Sequence, residues 1–256
     1  NTDIRWQQRF SNFNKAYNSK IKEAEEFETK ADTLARSIEE YLFKELEIVQ
    51  QKEKKGKDLF KLAKFKNIKR WDIPYLLGSV NTLQSKYSIV KFEDIITSFN
   101  DNNKSSLRIN TQDYPQDKFR YLGMENIEKQ TGRLLKLDDV IGIDIKSQTL
   151  KVPKNFLVYG KLRPYLNKYW INNTCFDNII CSSEFFVFDI DESINKVYFK
   201  YALSSKFIQE QISDKTSGAR MPRINEEIFF NLKFPLPPLE VQEEIANKIT
   251  DIKNNI

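Results

Sequence analysis

Two short stretches set paired cations where a turn would present them. Gly160-Lys161-Leu162-Arg163-Pro164-Tyr165 spaces Lys161 and Arg163 two residues apart, on the same side of an extended segment, with an aromatic ring alongside. Ser217-Gly218-Ala219-Arg220-Met221-Pro222-Arg223 puts two arginines, Arg220 and Arg223, in a tight loop that contains a glycine and a proline. A guanidinium carried on such a loop donates two parallel hydrogen bonds to a phosphate or to the edge of a guanine. That geometry is worth about 1–3 kcal/mol of discrimination. Solvated arginines in turns are the ordinary alternative.

Bond-making chemistry finds little support in the other residues. The chain has no histidine, which excludes Ser-His-Asp and Cys-His nucleophiles, imidazole zinc ligands and a two-His iron site. Cys175 and Cys181 cannot complete a four-ligand zinc cage by themselves. Asp72-Ile73-Pro74-Tyr75 resembles the (Asn/Asp)-Pro-Pro-(Tyr/Phe) loop of adenine methyltransferases, but its second position is wrong and no glycine-rich loop for S-adenosylmethionine accompanies it. Asp139 with Asp144-Ile145-Lys146 is the nearest approach to a nuclease metal site, at cramped spacing. Gly123 and Gly132 do not make a phosphate-binding loop. The expectation is a protein with no cofactor, no metal and no catalytic residue.

The elements that must position the cations follow from the breakers and the apolar periodicity. No glycine or proline occurs from Asn1 to Lys55, and Phe10, Phe13, Tyr17, Ile21, Ala24, Phe27, Ala31, Leu34, Ile38 and Tyr41 recur at steps of three or four. This predicts one helix from Asp3 to Val49 with a heptad-like stripe that needs a partner helix. Pro237 and Pro238 precede a second such pattern, Ile245, Ile249, Ile252 and Ile256, with Pro238 in the first helical turn. The expected packing residues are Phe27, Leu34, Ile38 and Tyr41 on the first helix and Ile245, Ile249 and Ile252 on the second. Between them, Phe119–Ile127, Phe156–Tyr159, Tyr169–Ile171 and Glu184–Ile190 read as strands, and Tyr198, Ala202, Phe207, Ile208 and Ile212 as the face of one helix closed by Ser217-Gly218. The reading is an α+β fold: a long coiled-coil helix over 1–56, a domain over 57–236, and a short C-terminal helix over 237–256 whose pattern is still running at the last residue.

Charge is uneven along the chain. The net charge is +5; residues 1–58 balance 12 basic against 12 acidic side chains, whereas residues 59–136 hold 14 against 8. No apolar run approaches the roughly 18 residues needed to span a bilayer and no secretory leader opens the sequence, so a cytoplasmic protein without membrane contact is expected. The first residue is Asn1, which points to a processed protein or an excised fragment.

In order along the chain, Tyr121-Leu122-Gly123-Met124-Glu125-Asn126-Ile127 with Thr131-Gly132, Val158 to Lys168, Cys181-Ser182-Ser183-Glu184-Phe185, Ser217 to Pro222, and Pro235 to Ala246 resemble the DNA-specificity (S) subunit of type I restriction-modification systems. The resemblance implies a target recognition domain reading one half of a split site in double-stranded DNA, with helical spacers setting the distance to the other half. It also implies methyltransferase (M) and endonuclease (R) subunits as partners in a bacterial cytoplasm. A complete S subunit usually carries two recognition domains, and one is legible here, so a half-subunit, a homodimer through the helices, or a fragment all fit. On this reading the DNA-contacting set is Lys104, Arg108, Arg133, Lys161, Arg163, Lys168, Lys215, Arg220 and Arg223. The alternative is the recognition region of a fused restriction-methylation enzyme whose catalytic part lies outside this chain; a coiled-coil assembly scaffold is the structural one. Separately, Asp3 to Ala16 is similar to the opening helix of small helical proteins that accompany minimal nucleotidyltransferases.

Overall fold

The computed structural model describes residues 2–51, 82–97, 107–216 and 221–254. The Asp72-Ile73-Pro74-Tyr75 turn, Lys104, the Ser217-to-Arg220 stretch and Ile256 lie outside the described residues. The first helix, α1, spans Thr2–Glu45. It ends short of the expected Val49 because Glu47 turns into the left-handed region (φ 45°), and Val49–Gln51 becomes β1. Then follow β2 (Thr82–Gln84), β3 (Ser88–Lys91), α2 (Phe92–Ile95), β4 (Arg108–Ile109), β5 (Lys118–Leu122), β6 (Asp138–Ile141), β7 (Thr149–Lys151), β8 (Leu157–Gly160), β9 (Tyr169–Ile171), β10 (Ile179–Ser182) and β11 (Phe185–Phe188). The chain closes with α3 (Lys196–Ser204), α4 (Lys206–Lys215), α5 (Glu226–Phe230), β12 (Lys233–Leu236) and α6 (Leu239–Asn254).

Two expected elements differ for local reasons. The strand expected over Phe119–Ile127 stops at Leu122 because the Asn126 side chain accepts the Gly123 N–H at 2.5 Å and winds Met124–Asn126 into a 3₁₀ turn. The single helix expected through Tyr198 and Ile212 is two, since Ser205 is extended (φ −67°, ψ 153°) and its hydroxyl bonds back to the Ala202 carbonyl.

The fold is layered about a three-stranded antiparallel sheet, β11-β8-β9. Side chains alternate along these strands, and both faces are apolar. Leu157, Tyr159, Tyr169, Phe186 and Phe188 enter one core, whereas Val158, Trp170, Phe185 and Val187 enter another. The first core is shared with the helices; the second is closed by a five-stranded sheet, β4-β7-β10-β5-β6, through Leu122, Ile179 and Cys181. This sheet is antiparallel except where β10 runs parallel to β5.

Phe229 on α5 sits at the centre of the helical core, with ring centroids 4.7 Å from Phe186, 5.1 Å from Tyr159, 5.4 Å from Phe92 and 5.5 Å from Phe188. The last turns of α1 enter the same core through Leu42 and Leu46, as does α6 through Ile245 and Ile249. Ile38 and Tyr41 are half-buried against it. α6 begins just after Pro238, whose carbonyl accepts the N–H groups of Val241 and Gln242 at 3.0 Å. Buried Gln242 then fastens it, donating to the Pro237 carbonyl at 2.8 Å and accepting the Asn195 N–H at 2.8 Å. The remainder of α1 is bare: every residue from Arg5 to Thr33 is exposed, Phe27 at 63%, and Leu34 is half-buried.

Truncating Phe229 to alanine should therefore cost about 3–5 kcal/mol, which urea unfolding of the variant measures. A second expectation concerns Lys200 on α3, whose ammonium lies 5.8 Å from the Tyr169 ring centroid. Burial lowers its pKa, and the charge of Lys253 lowers it further. Below that lowered pKa the ammonium is charged in both states and the burial penalty is full; the penalty fades as pH rises from there towards the unfolded value near 10.5. Lys200→Met should raise the thermal midpoint at pH 7, with the gain shrinking as pH approaches 10.5.

Candidate nucleic-acid interface

Three loops converge at one end of the three-stranded sheet. The segment after β8 turns sharply because Arg163 (φ 49°) and Asn167 (φ 45°) are both left-handed and bracket a 3₁₀ turn over Pro164–Leu166. Lys161 and Arg163 therefore do not continue as neighbours on an extended strand. The segment 221–223 lies beside this turn: the Arg163 N–H donates to the Pro222 carbonyl at 2.7 Å, and Leu162 bridges Arg223. From the other side, Gln130 donates its N–H to the Leu166 carbonyl at 3.1 Å and its side-chain amide to the Tyr165 carbonyl at 3.0 Å. Gly132 (φ 66°) allows this loop to pass over Tyr169, where a Cβ would run into the buried ring.

The cations on these loops are held in different ways. Arg223 forks onto Glu184, Nε to Oε2 at 3.1 Å and Nη2 to Oε1 at 3.0 Å. Arg133 forks onto Glu128 at 3.1 and 2.8 Å, and hydrogen bonds from Arg133 and Thr131 hold the Glu128 carboxyl below its usual pKa. Both guanidiniums stay more than half exposed. Lys161 donates to the Ser183 carbonyl at 2.8 Å with its ammonium 4.9 Å from the Phe186 ring centroid. Lys168 donates to the Met124 carbonyl at 2.5 Å, and burial lowers its pKa against the opposing charge of Glu125. Arg163 is exposed, and among the described residues it makes no ion pair.

Next to the loops, a cleft of about 410 Å³ opens between the two sheets, with Arg108, Lys146 and Lys161 at its walls and Phe185 and Phe186 among its lining. The structure thus gathers Arg133, Lys161, Arg163, Lys168 and Arg223 on one loop cluster and sets Arg108 in the adjoining cleft. Lys104 and Arg220 lie outside the described residues, and for Lys215 only its backbone place at the end of α4 is described. Sequence reasoning met Lys146 only in the rejected Asp144-Ile145-Lys146 metal motif and left it out of the DNA-contacting set; it lines the cleft just before β7, the strand that pairs with β4. Sequence reasoning missed Arg120, whose guanidinium lies 3.5 Å from the Phe176 ring centroid and 3.7 Å from Asp139. Alternation along β5 sets Arg120 on the face opposite Phe119 and Tyr121. Among the described residues no group of three or more Asp, Glu or Cys side chains is arranged to hold a metal ion. Cys175 is exposed, and burial pushes the Cys181 thiol pKa up.

The model of the type I restriction modification DNA specificity domain matches residues 84–256. The chain belongs to this family. Similar curated proteins are specificity subunits of the same class. The EcoDI specificity subunit of Escherichia coli is 27% identical over 141 residues, which is 55% of this chain and 30% of that protein. The MjaVIII specificity subunit of Methanocaldococcus jannaschii is 36% identical over 63 residues, 25% of this chain and 14% of that protein. The specificity-domain chain thus covers under a third of either relative. Its fold is that of the HsdS subunit from Thermoanaerobacter tengcongensis (TM-score 0.57, 20% identity, 66% of this chain and 42% of that one). A chain solved in work on complex assembly and conformational transition of the type I R-M system is alike too (TM-score 0.58, 22% identity, 66% and 42%). Among the described residues no helix is long and apolar enough to cross a membrane.

Gly132→Ala should cost about 2 kcal/mol or more, because the left-handed backbone is strained for alanine and the added methyl must displace Tyr169. Arg133→Ala, one residue on, should leave the thermal midpoint nearly unchanged, since its ion pair is solvent-exposed. Thermal unfolding of the two variants compares them.

Proposed function

We propose that this chain reads one half of a split site in double-stranded DNA on behalf of a bacterial type I restriction-modification complex. Methylation and cleavage then reside in separate M and R subunits, and the helices dock the M subunits. In this reading residues 57–236 are the recognition domain and residues 1–56 and 237–256 the spacer helices. The observation that carries the proposal is the coincidence of the family match over residues 84–256 with five cations gathered on interlocked loops at one end of the sheet.

The chemistry is that of exchange. A carboxylate, a phosphate and the O6/N7 edge of guanine all accept the same two-point fork from arginine. Glu184 therefore holds the planar Arg223 guanidinium aimed while it waits, and Glu128 does so for Arg133. DNA displaces a carboxylate only where it offers an acceptor in the right place, which penalises random duplex more than a cognate site. Arg163, which has no such carboxylate among the described residues, serves as a phosphate contact that positions the domain.

A titration of the purified chain, with its methyltransferase partner, against duplex DNA at several ionic strengths tests the function. The logarithm of the binding constant should fall by about 0.9 per phosphate neutralised for each tenfold rise in salt. Binding independent of salt, or absent, overturns the proposal. Glu184→Gln should raise affinity for random duplex by about three- to tenfold and leave the cognate site nearly unchanged, as Arg223 is freed for any phosphate.

A further inference from the structure

The cleft between the two sheets is built differently from the loop cluster beside it. Among the described residues β4 is the edge of the five-stranded sheet and β11 the edge of the three-stranded one. Both edges line the cleft, whose volume of about 410 Å³ falls in the range of small-molecule sites, about 300–1,000 Å³. A lone phosphate ion would leave most of it unfilled.

Its walls carry three kinds of group. Arg108, Lys146 and Lys161 stand against a single lining carboxylate, Glu226. Arg108 and Lys146 are exposed and make no ion pair among the described residues, so both can turn to an anion. Ile109 and Leu150 on one side and Phe185 and Val187 on the other are apolar. The third kind is backbone. The Lys161 N–H donates to the Glu184 carbonyl at 2.7 Å, whereas the Gly160 N–H donates to the Lys168 carbonyl at 2.8 Å, so the ladder to β8 uses Glu184, Phe186 and Phe188. The N–H and C=O of Phe185 and Val187 therefore point away from β8, on the edge that lines the cleft.

Together these groups select the ligand. An N–H and a C=O side by side on a strand edge match the neighbouring acceptor and donor of a nucleobase edge, and apolar walls suit the faces of its ring. Cations alongside suit a phosphate. A fatty acid would use the cations and the apolar walls but leave the backbone groups unmatched. Inorganic phosphate would use the cations alone.

The geometry points to a binding site for one nucleoside 5′-phosphate, its phosphate on Arg108 and Lys146 and its base edge on the backbone of β11. That unit has two sources: a free mononucleotide, or a nucleotide unstacked from a duplex held by the neighbouring loops. Only the second source rests on the DNA-recognition reading.

Calorimetric titration of the full chain with the deoxynucleoside 5′-monophosphates, the bare nucleosides, inorganic phosphate and dodecanoate reads the first source. A monophosphate should bind about tenfold or more tighter than its nucleoside and than phosphate. Arg108→Gln with Lys146→Gln should weaken the monophosphate about tenfold and spare the nucleoside. Gln148→Trp, which puts a bulky ring on the cleft wall, should weaken both. All three positions are exposed, so the thermal midpoint should stay nearly unchanged. The second source is read with duplexes carrying 2-aminopurine at successive positions, mixed with the chain alone: fluorescence should rise at one position, and both variants should lose the rise. Success in either arm upholds the site and names its source. Monophosphate binding by a chain that binds no duplex at any salt upholds the site and sinks the recognition reading. Failure of both arms, signals that the variants leave intact, phosphate binding as tightly as the nucleotides, or dodecanoate binding more tightly would each overturn the proposal.

Discussion

The three-stranded sheet must bury both of its faces, and most of the architecture answers to that requirement. Every residue of β8 and β11 is buried, and alternate side chains serve different cores. No position along these strands is left for a polar group that meets solvent, so polar work moves to their ends. The helices cover one face and the five-stranded sheet covers the other. At the end where β8 and β9 are joined, the loops lean on one another through backbone hydrogen bonds between 130 and 166, 163 and 222, and 161 and 224.

That bonding explains how exposed arginines acquire defined directions. Left-handed turns at Arg163 and Asn167 and the glycine at 132 fix the backbone, and two carboxylates then fix the guanidiniums of Arg133 and Arg223. Ion pairs this exposed add little stability, about 0–1 kcal/mol. Their effect is on geometry and on local potential: each fork lowers the positive field that a stray polyanion would meet without removing the donors. The buried Gln242 plays a comparable part on the opposite layer, where two hydrogen bonds fix the root of α6 against the start of α3.

Much of the fold was legible because its signals are local. Tyr169–Ile171 is a strand with the expected bounds, and the glycine- and proline-free start is one helix. The apolar runs of β8 and β11 mark strands but cannot say which core each residue faces, since both faces are apolar. Ser205 and Asn126 overrode periodicity through side-chain bonds to nearby backbone, which a pattern of hydrophobic residues does not register. At the interface, turn chemistry around Lys161 and Arg223 drew attention to residues that do meet. The cleft was invisible: β4 is two residues long, and Arg108 and Lys146 come to line one cleft only through a pairing distant in sequence. The carboxylate forks were hidden for the same reason in the Arg223–Glu184 pair, which spans 39 positions.

The shared middle sheet also governs how the molecule comes apart. Phe185 and Phe186, or Val158 and Tyr159, are adjacent on one backbone yet belong to opposite cores. Pulling a strand away from the helices removes its other face from the five-stranded sheet as well. The two clusters share one set of strands, so loss of the helical layer would bare one whole apolar face of the sheet whose end holds the loops that carry the arginines.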